Sequence, residues 1–132
     1  MLFTKCILSQ KVPEDGIRIS VMSRHTLNDG ITPDERIVPS SYDIHAPILA
    51  PSSKLIGDYY KRGLLWDDFE KRYLGEIRDG GNKSFLIGHL ALMASSINIT
   101  MLCIEDEACH CHRSILAKEF LCFQKELKIV HR

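Results

Sequence analysis

The sequence predicts a single α/β domain over residues 1–132, with a partly parallel sheet flanked by helices. Three observations predict it. Short apolar runs of period two open the chain, and amphipathic helical stretches fill its middle. In the second half, strands and helices alternate, the arrangement that lays strands side by side in parallel. A chain of 132 residues buries enough surface to hold one core without covalent staples.

Taken in order, Leu2 to Leu8 is short, apolar and rich in β-formers, and reads as the first strand. Pro13 to Gly16 reads as a turn. Ile17, Ile19 and Val21 then alternate with Arg18 and Ser20, giving a second strand over Ile17 to Met22. Four of the five prolines follow at Pro33, Pro39, Pro47 and Pro51, which predicts a long ordered loop instead of helix. Pro51, Ser52 and Ser53 form a helix start, with a serine hydroxyl to cap an orphan N–H, and Leu55, Ile56, Tyr59 and Tyr60 share one face. A second helix begins near Leu65 with Asp67 and Asp68 in its first turn, where the dipole favours negative charge. Its apolar stripe, Trp66, Phe69, Tyr73 and Ile77, reads as core and not as a cofactor box. Asp79 to Asn82 ends it. A third helix is expected from Ser84 to Ala94, with His89 as a core histidine, followed by a buried strand from Asn98 to Ile104. Ile115, Leu116, Phe120 and Phe123 define a last helix, and Leu127 to Val130 a closing strand. Lys71 and Arg72 fit a solvated face.

Composition narrows the function classes. Seventeen basic and seventeen acidic side chains balance, so net charge does not indicate nucleic acid, which calls for a basic excess or stripe. The residues from Phe85 to Ile104 carry no formal charge and have the length of a membrane span. Polar interruptions at His89, Ser95, Ser96, Asn98 and Thr100, and a change of period halfway, mark them instead as buried helix then buried strand, so no membrane is expected. No charged segment followed by an apolar run opens the sequence. The five cysteines are odd in number and three of them lie within nine positions, unlike a disulfide framework. The expectation is a set of thiols in a cytoplasmic protein. No Walker loop, no Gly-x-Gly-x-x-Gly and no Ser–His–Asp spacing is present; the cofactor and the oligomeric state are left open.

The chemistry concentrates between Cys103 and Arg113. Cys103 closes a predicted strand, and Cys111, His112 and Arg113 stand where the next helix begins. Ligands of open α/β sheets bind beyond the carboxyl ends of strands, and a helix start there offers unpaired N–H groups. Four readings are open. Cys111 is a nucleophilic thiolate, its acidity raised by the helix start, His112 and Arg113. Arg113 and the helix amides hold an anion, with Arg24, at the end of the second strand, as a second contact. Cys103, Cys109, Cys111 and one of His110 or His112 bind zinc, although Cys109 and Cys111 lie closer than paired zinc ligands usually do. Last, Cys103 is a small core residue and Arg113 pairs with Glu105, Asp106 or Glu107. The leading expectation is a small-ligand binder or enzyme for an anionic, nucleotide-like molecule. Its catalytic residues are Cys111, His112 and Arg113, and its ligand contacts Arg24, Cys103 and Arg113, with no bound metal. The alternative is a non-catalytic interaction domain that uses the Pro-rich loop.

Three blocks also carry a family likeness. They are Asp15 to Arg24; Leu49-Ala-Pro-Ser52 with Leu55, Trp66-Asp-Asp-Phe69, Tyr73 and Glu76; and Leu102-Cys103 through His110-Cys111-His112-Arg113. Together they resemble the small YeaO-like proteins of bacteria and archaea, classed as domain of unknown function 488. In the last block the family pattern falls on Cys103, Cys111, His112 and Arg113, and leaves Cys109 as an extra of this sequence. Ser23 replaces the aspartate that usually precedes Arg24, and His25 to Gly30 replace the Trp-Pro-Arg-Gly that usually follows. The resemblance implies the fold and the site, and no particular reaction.

Overall fold

A computed structural model describes residues 1–132. Five strands, β1 (Leu2–Cys6), β2 (Ile17–Ser20), β3 (Ile44–His45), β4 (Ile99–Cys103) and β5 (Ile129–His131), form one sheet in the order β3-β2-β4-β1-β5. Every pairing is parallel, so the sheet, expected to be at least partly parallel, is parallel throughout. Four helices complete the domain: α1 (Ser53–Arg62), α2 (Trp66–Arg78), α3 (Asn82–Ala94) and α4 (His112–Phe120). No helix is long and apolar enough to cross a membrane.

The layering follows from connection handedness. From β2 and β3 to β4, and from β4 to β5, the chain moves across the sheet in one direction, and helices make both crossings. From β1 to β2 it moves the opposite way, so a right-handed crossover must pass over the opposite face. The pleat agrees. Leu2, Ile19, Ile99 and Met101 share one face by register and join residues of all four helices in the main core, including Leu55, Phe69, Ile87 and Phe120. The other face carries Phe3, Lys5, Arg18, Ser20, Thr100 and Leu102. It is covered by the return from β1, whose one helical piece is a 3₁₀ turn at Pro13–Asp15, and by the loop after β2: the Thr100 hydroxyl donates to the Asp15 carbonyl at 2.7 Å, and Arg18 Nε to the Ser41 carbonyl at 2.9 Å. A parallel sheet normally has helices on both faces. Here α-helices cover only one.

The second face holds a buried ion cluster in their place. Asp15, fully buried, takes Lys5 Nζ at 3.0 Å and Arg18 Nη1 at 2.5 Å. Burial pushes its carboxyl up, but the Val12 amide, Lys5 and Arg18 outweigh that and hold it below the usual carboxylate range. Gly16 follows with φ +63°, and a Cβ there would stand 2.0 Å from the Asn98 carbonyl oxygen. This glycine lets the return strand approach β4.

The expected elements recur with shifted ends. Ser52 caps α1, accepting from the Leu55 amide at 3.2 Å, and also donates to Glu76 at 2.6 Å, which ties α1 to α2. β1 and β2 stop two residues early, α3 starts at Asn82, and Phe123 lies past the end of α4. The Pro-rich loop contains the edge strand β3 and short 3₁₀ turns at Pro39–Ser41 and Pro47–Leu49. His89 is a correction: it is exposed, with its ring 4.4 Å from Phe85. α3 is apolar on both sides, so the sequence offers no polar stripe by which to tell its outer face.

Candidate active site

β4 delivers Cys103 to the carboxyl end of the sheet, and α4 begins at His112 with Cys111 as its N-cap residue. Residues 104–111 between them are held from behind by Arg113. This arginine is fully buried; its Nη1 donates to the Glu105 carbonyl at 2.5 Å and its Nη2 to the Asp106 carbonyl at 3.1 Å. It thus takes the carbonyls, and not the carboxylates, of the acidic run. Its Nε has no partner. Nη1 also reaches the Cys111 sulfur at 3.6 Å, so the buried positive charge faces the thiols.

His112 is oriented by one contact. Its Nε2 lies 2.9 Å from the Val21 carbonyl oxygen, which can only accept a hydrogen bond. Nε2 therefore carries a proton, and it is Nδ1 that serves as the lone-pair acceptor in the neutral form of the ring. That nitrogen stands 3.9 Å from Cys103 Sγ. The edge of the ring packs against Tyr73 with centroids 5.6 Å apart at 87°.

The two cysteines differ. Both are almost fully buried, but Cys103 lines a cleft of about 810 Å³ and Cys111 does not. The Cys111 thiol as hydrogen-bond donor, helped by the Ile104 and Glu105 amides and the Arg113 charge, outweighs burial and holds the Cys103 thiol below its usual range. The same contact with Cys103, and then burial, push the Cys111 thiol far up, with His112 pulling only partly back. The sequence expectation placed the nucleophilic thiol at Cys111; of the two adjoining thiols, Cys103 is the one that borders the cleft.

The cleft opens between α1, α2 and the loop after β2. Tyr59, Tyr60, Trp66 and Phe69 supply an aromatic wall, Arg24 and Lys61 lie among its cations, and Cys103 and His112 form its floor. Tyr60 donates to Glu105 at 2.9 Å; burial and the Glu105 charge push its phenol above the usual range. Arg24 is exposed, with Nη1 3.2 Å from the Gly30 carbonyl. Arg113 is absent from the lining. Sequence reasoning took Trp66 and Phe69 as core, and Phe69 is 3% exposed; yet both also border the cleft. Helical spacing shows which face an aromatic shares, and not that the face ends in a groove.

Of the four proposed zinc ligands, three come together. Cys103 Sγ, Cys111 Sγ and His112 Nδ1 all lie within 4.8 Å of one another, a set that could hold a thiophilic ion with one open position. Cys109 stands apart, exposed, its thiol 3.6 Å from Glu107, and His110 packs on Trp66 at 5.2 Å. All five cysteines are unpaired.

Residues 2–127 match the family described as the active DUF488-N3 subclade. The chain belongs to this DUF488 family, in agreement with the resemblance of its three blocks to the YeaO-like proteins. No curated protein and no solved structure matches it.

Proposed function

We propose that this DUF488 protein is an enzyme acting on a small anionic, nucleotide-like molecule, with Cys103 as its nucleophile. One observation carries the reading: Cys103 Sγ stands 3.9 Å from His112 Nδ1 on the floor of a cleft. The cleft volume lies within the range of small-molecule sites, about 300–1,000 Å³. Its rings suit a planar, aromatic ligand, and Arg24 and Lys61 suit an anionic group. Family membership in a subclade described as active fits a catalytic role. Free thiols throughout the chain fit a reducing, cytoplasmic setting.

In this reading the Cys103 thiolate attacks an electrophilic centre of the bound molecule and forms a covalent bond to it. His112 Nδ1 takes the thiol proton and returns one to the leaving group. Arg113 is a positioning residue: it holds residues 105–106 and places positive charge behind the sulfurs. Cys111 donates to the thiolate.

The interaction-domain reading rests on the loop, which exposes Ile31, Val38, Ile44 and Ile48. The absence of a pocket beside Arg113 would favour it further; the cleft reaches Cys103 and His112, the residue next to Arg113, without touching Arg113 itself. The test uses adenosine and guanosine monophosphates and diphosphates as probes. Binding to the wild-type chain that Arg24→Ala weakens, with Cys103 protected from iodoacetamide, supports the reading. No binding by any of the four, with Cys103 inert to iodoacetamide, removes it.

A further inference from the structure

The nucleophile reading uses Cys111 only as a hydrogen-bond donor, although this thiol is almost fully buried and lies within 4.8 Å of both Cys103 Sγ and His112 Nδ1. We infer that Cys111 is a resolving thiol, and that the Cys103–Cys111 pair reduces small anionic disulfides admitted by the cleft. The inference rests on Cys103 being the cleft nucleophile and adds a second chemical step and a substrate class.

The arrangement is directional. A molecule in the cleft meets Cys103 and not Cys111, so the first bond must form on Cys103. Its thiolate, formed as His112 Nδ1 takes the thiol proton, attacks one sulfur of a disulfide RS–SR; a Cys103–SR bond forms, the S–S bond breaks, and RS⁻ leaves with that proton as RSH, so Nδ1 is free again. Cys103 is now bonded to sulfur, and Cys111 lies within 4.8 Å of it. His112 Nδ1, a free acceptor because Nε2 is committed to the Val21 carbonyl, takes the Cys111 proton. Arg113 Nη1, 3.6 Å from Cys111 Sγ, faces the new thiolate. Cys111 then attacks the Cys103 sulfur and the second RS⁻ leaves. One disulfide has been reduced and the two protein thiols oxidised, so electrons balance. An external dithiol restores the pair.

Bond formation needs the sulfurs to close to about 2.05 Å. Cys111 sits at an N-cap position in extended conformation, φ −124° and ψ 140°, at the end of the 104–111 loop and outside the helix. Of the other cysteines, Cys109 and Cys122 are exposed and absent from the cleft lining, so they can be removed without touching the site.

The experiment uses the full chain carrying Cys109→Ser and Cys122→Ser, treated with glutathione disulfide and followed by intact mass and peptide mapping. The expected product is a Cys103–Cys111 disulfide with release of two glutathione thiols, reversed by dithiothreitol. Adding Cys111→Ser should stop the reaction at a Cys103–glutathione adduct that lasts at least tenfold longer; Cys111→Ala should do the same if the serine variant folds poorly. A Cys103–glutathione adduct equally long-lived with Cys111 intact would overturn the inference. So would purified protein holding one equivalent of zinc that masks both thiols until a chelator removes it. If Cys103 is alkylated rapidly by iodoacetamide but no internal disulfide forms, the resolving role fails and the nucleophile reading stands. If Cys103 reacts with neither reagent, both fall.

Discussion

Asp15→Asn tests the physical account of the fold most severely, because one carboxylate supports an entire face of the sheet. Lys5 and Arg18 are 7% and 1% exposed, and Asp15 is the only carboxylate within ion-pair reach of either. Asparagine keeps one acceptor oxygen and most of the shape, but leaves two buried cations without a counter-charge; Arg132, 3.7 Å from the same carboxylate, adds a third and more exposed one. Removing one partner of a buried ion pair costs about 3–5 kcal/mol, a large share of the roughly 5–15 kcal/mol that holds a domain of this kind together. With a urea slope of about 1–3 kcal/mol/M, the unfolding midpoint should fall by about 2 M at unchanged slope. Lys5→Met added to Asp15→Asn should recover part of the loss by removing one stranded charge. The sign with pH is fixed as well. The folded carboxyl is held below its usual value, so its contribution is full above the unfolded value of about 3.9 and is lost as pH falls through the folded value. Asp15→Asn should flatten this limb of the acid-unfolding curve. A midpoint change equivalent to less than about 1 kcal/mol would refute the reasoning, since it would place the pair in the class of exposed salt bridges.

Three further outcomes follow from other contacts. Gly16→Ala must fit a Cβ against the Asn98 carbonyl at 2.0 Å from a left-handed backbone; we expect loss of soluble folded protein or a destabilisation above about 3 kcal/mol by urea unfolding, and a wild-type midpoint would contradict the close approach of the return strand to β4. Arg113→Met leaves the Glu105 and Asp106 carbonyls without their donor, each costing about 1–3 kcal/mol. Amide exchange over residues 104–111 should speed up and Cys103 alkylation at pH 7 should slow, whereas unchanged exchange would remove Arg113 as the clamp. Burial and the neighbouring His45 hold the His25 imidazole below its usual range. Its contribution is therefore full above the unfolded value of about 6.5 and lost as pH falls through the folded value. An NMR titration should place the His25 midpoint below that of a free histidine, with amide protection over residues 25–45, taken relative to the intrinsic exchange rate, weaker at pH 5 than at pH 7.5; a midpoint above it would contradict the packing of His25 on His45, whose ring centroids lie 4.1 Å apart.

Much of the architecture was legible because period and punctuation agree. Alternation in Ile17 to Val21, the Ser52 cap and the glycines after Asp79 each mark an element that forms. The edge strand β3 was not legible: two residues between prolines show no alternation, and its pairing depends on where β2 lies in space. Nor was the one-sided layering, which follows from strand order. At the site, spacing singled out Cys103, Cys111, His112 and Arg113, but not their division of labour. Which cysteine faces the cleft depends on the groove between α1 and the loop after β2, and which histidine nitrogen is free depends on Val21, 91 residues away. Arg113 looks like an anion ligand in sequence because it follows a helix start; its side chain instead turns inward to the carbonyls of its own loop.

The most direct test of the central claim is the pH profile of Cys103 alkylation by iodoacetamide, read by peptide mapping in protein lacking Cys109 and Cys122. The account predicts a midpoint below the value of about 8.5 for an ordinary cysteine, moved upward by Arg113→Met, with Cys111 unreactive over the same range. A Cys103 midpoint at or above 8.5, or alkylation of Cys111 ahead of Cys103, would contradict it.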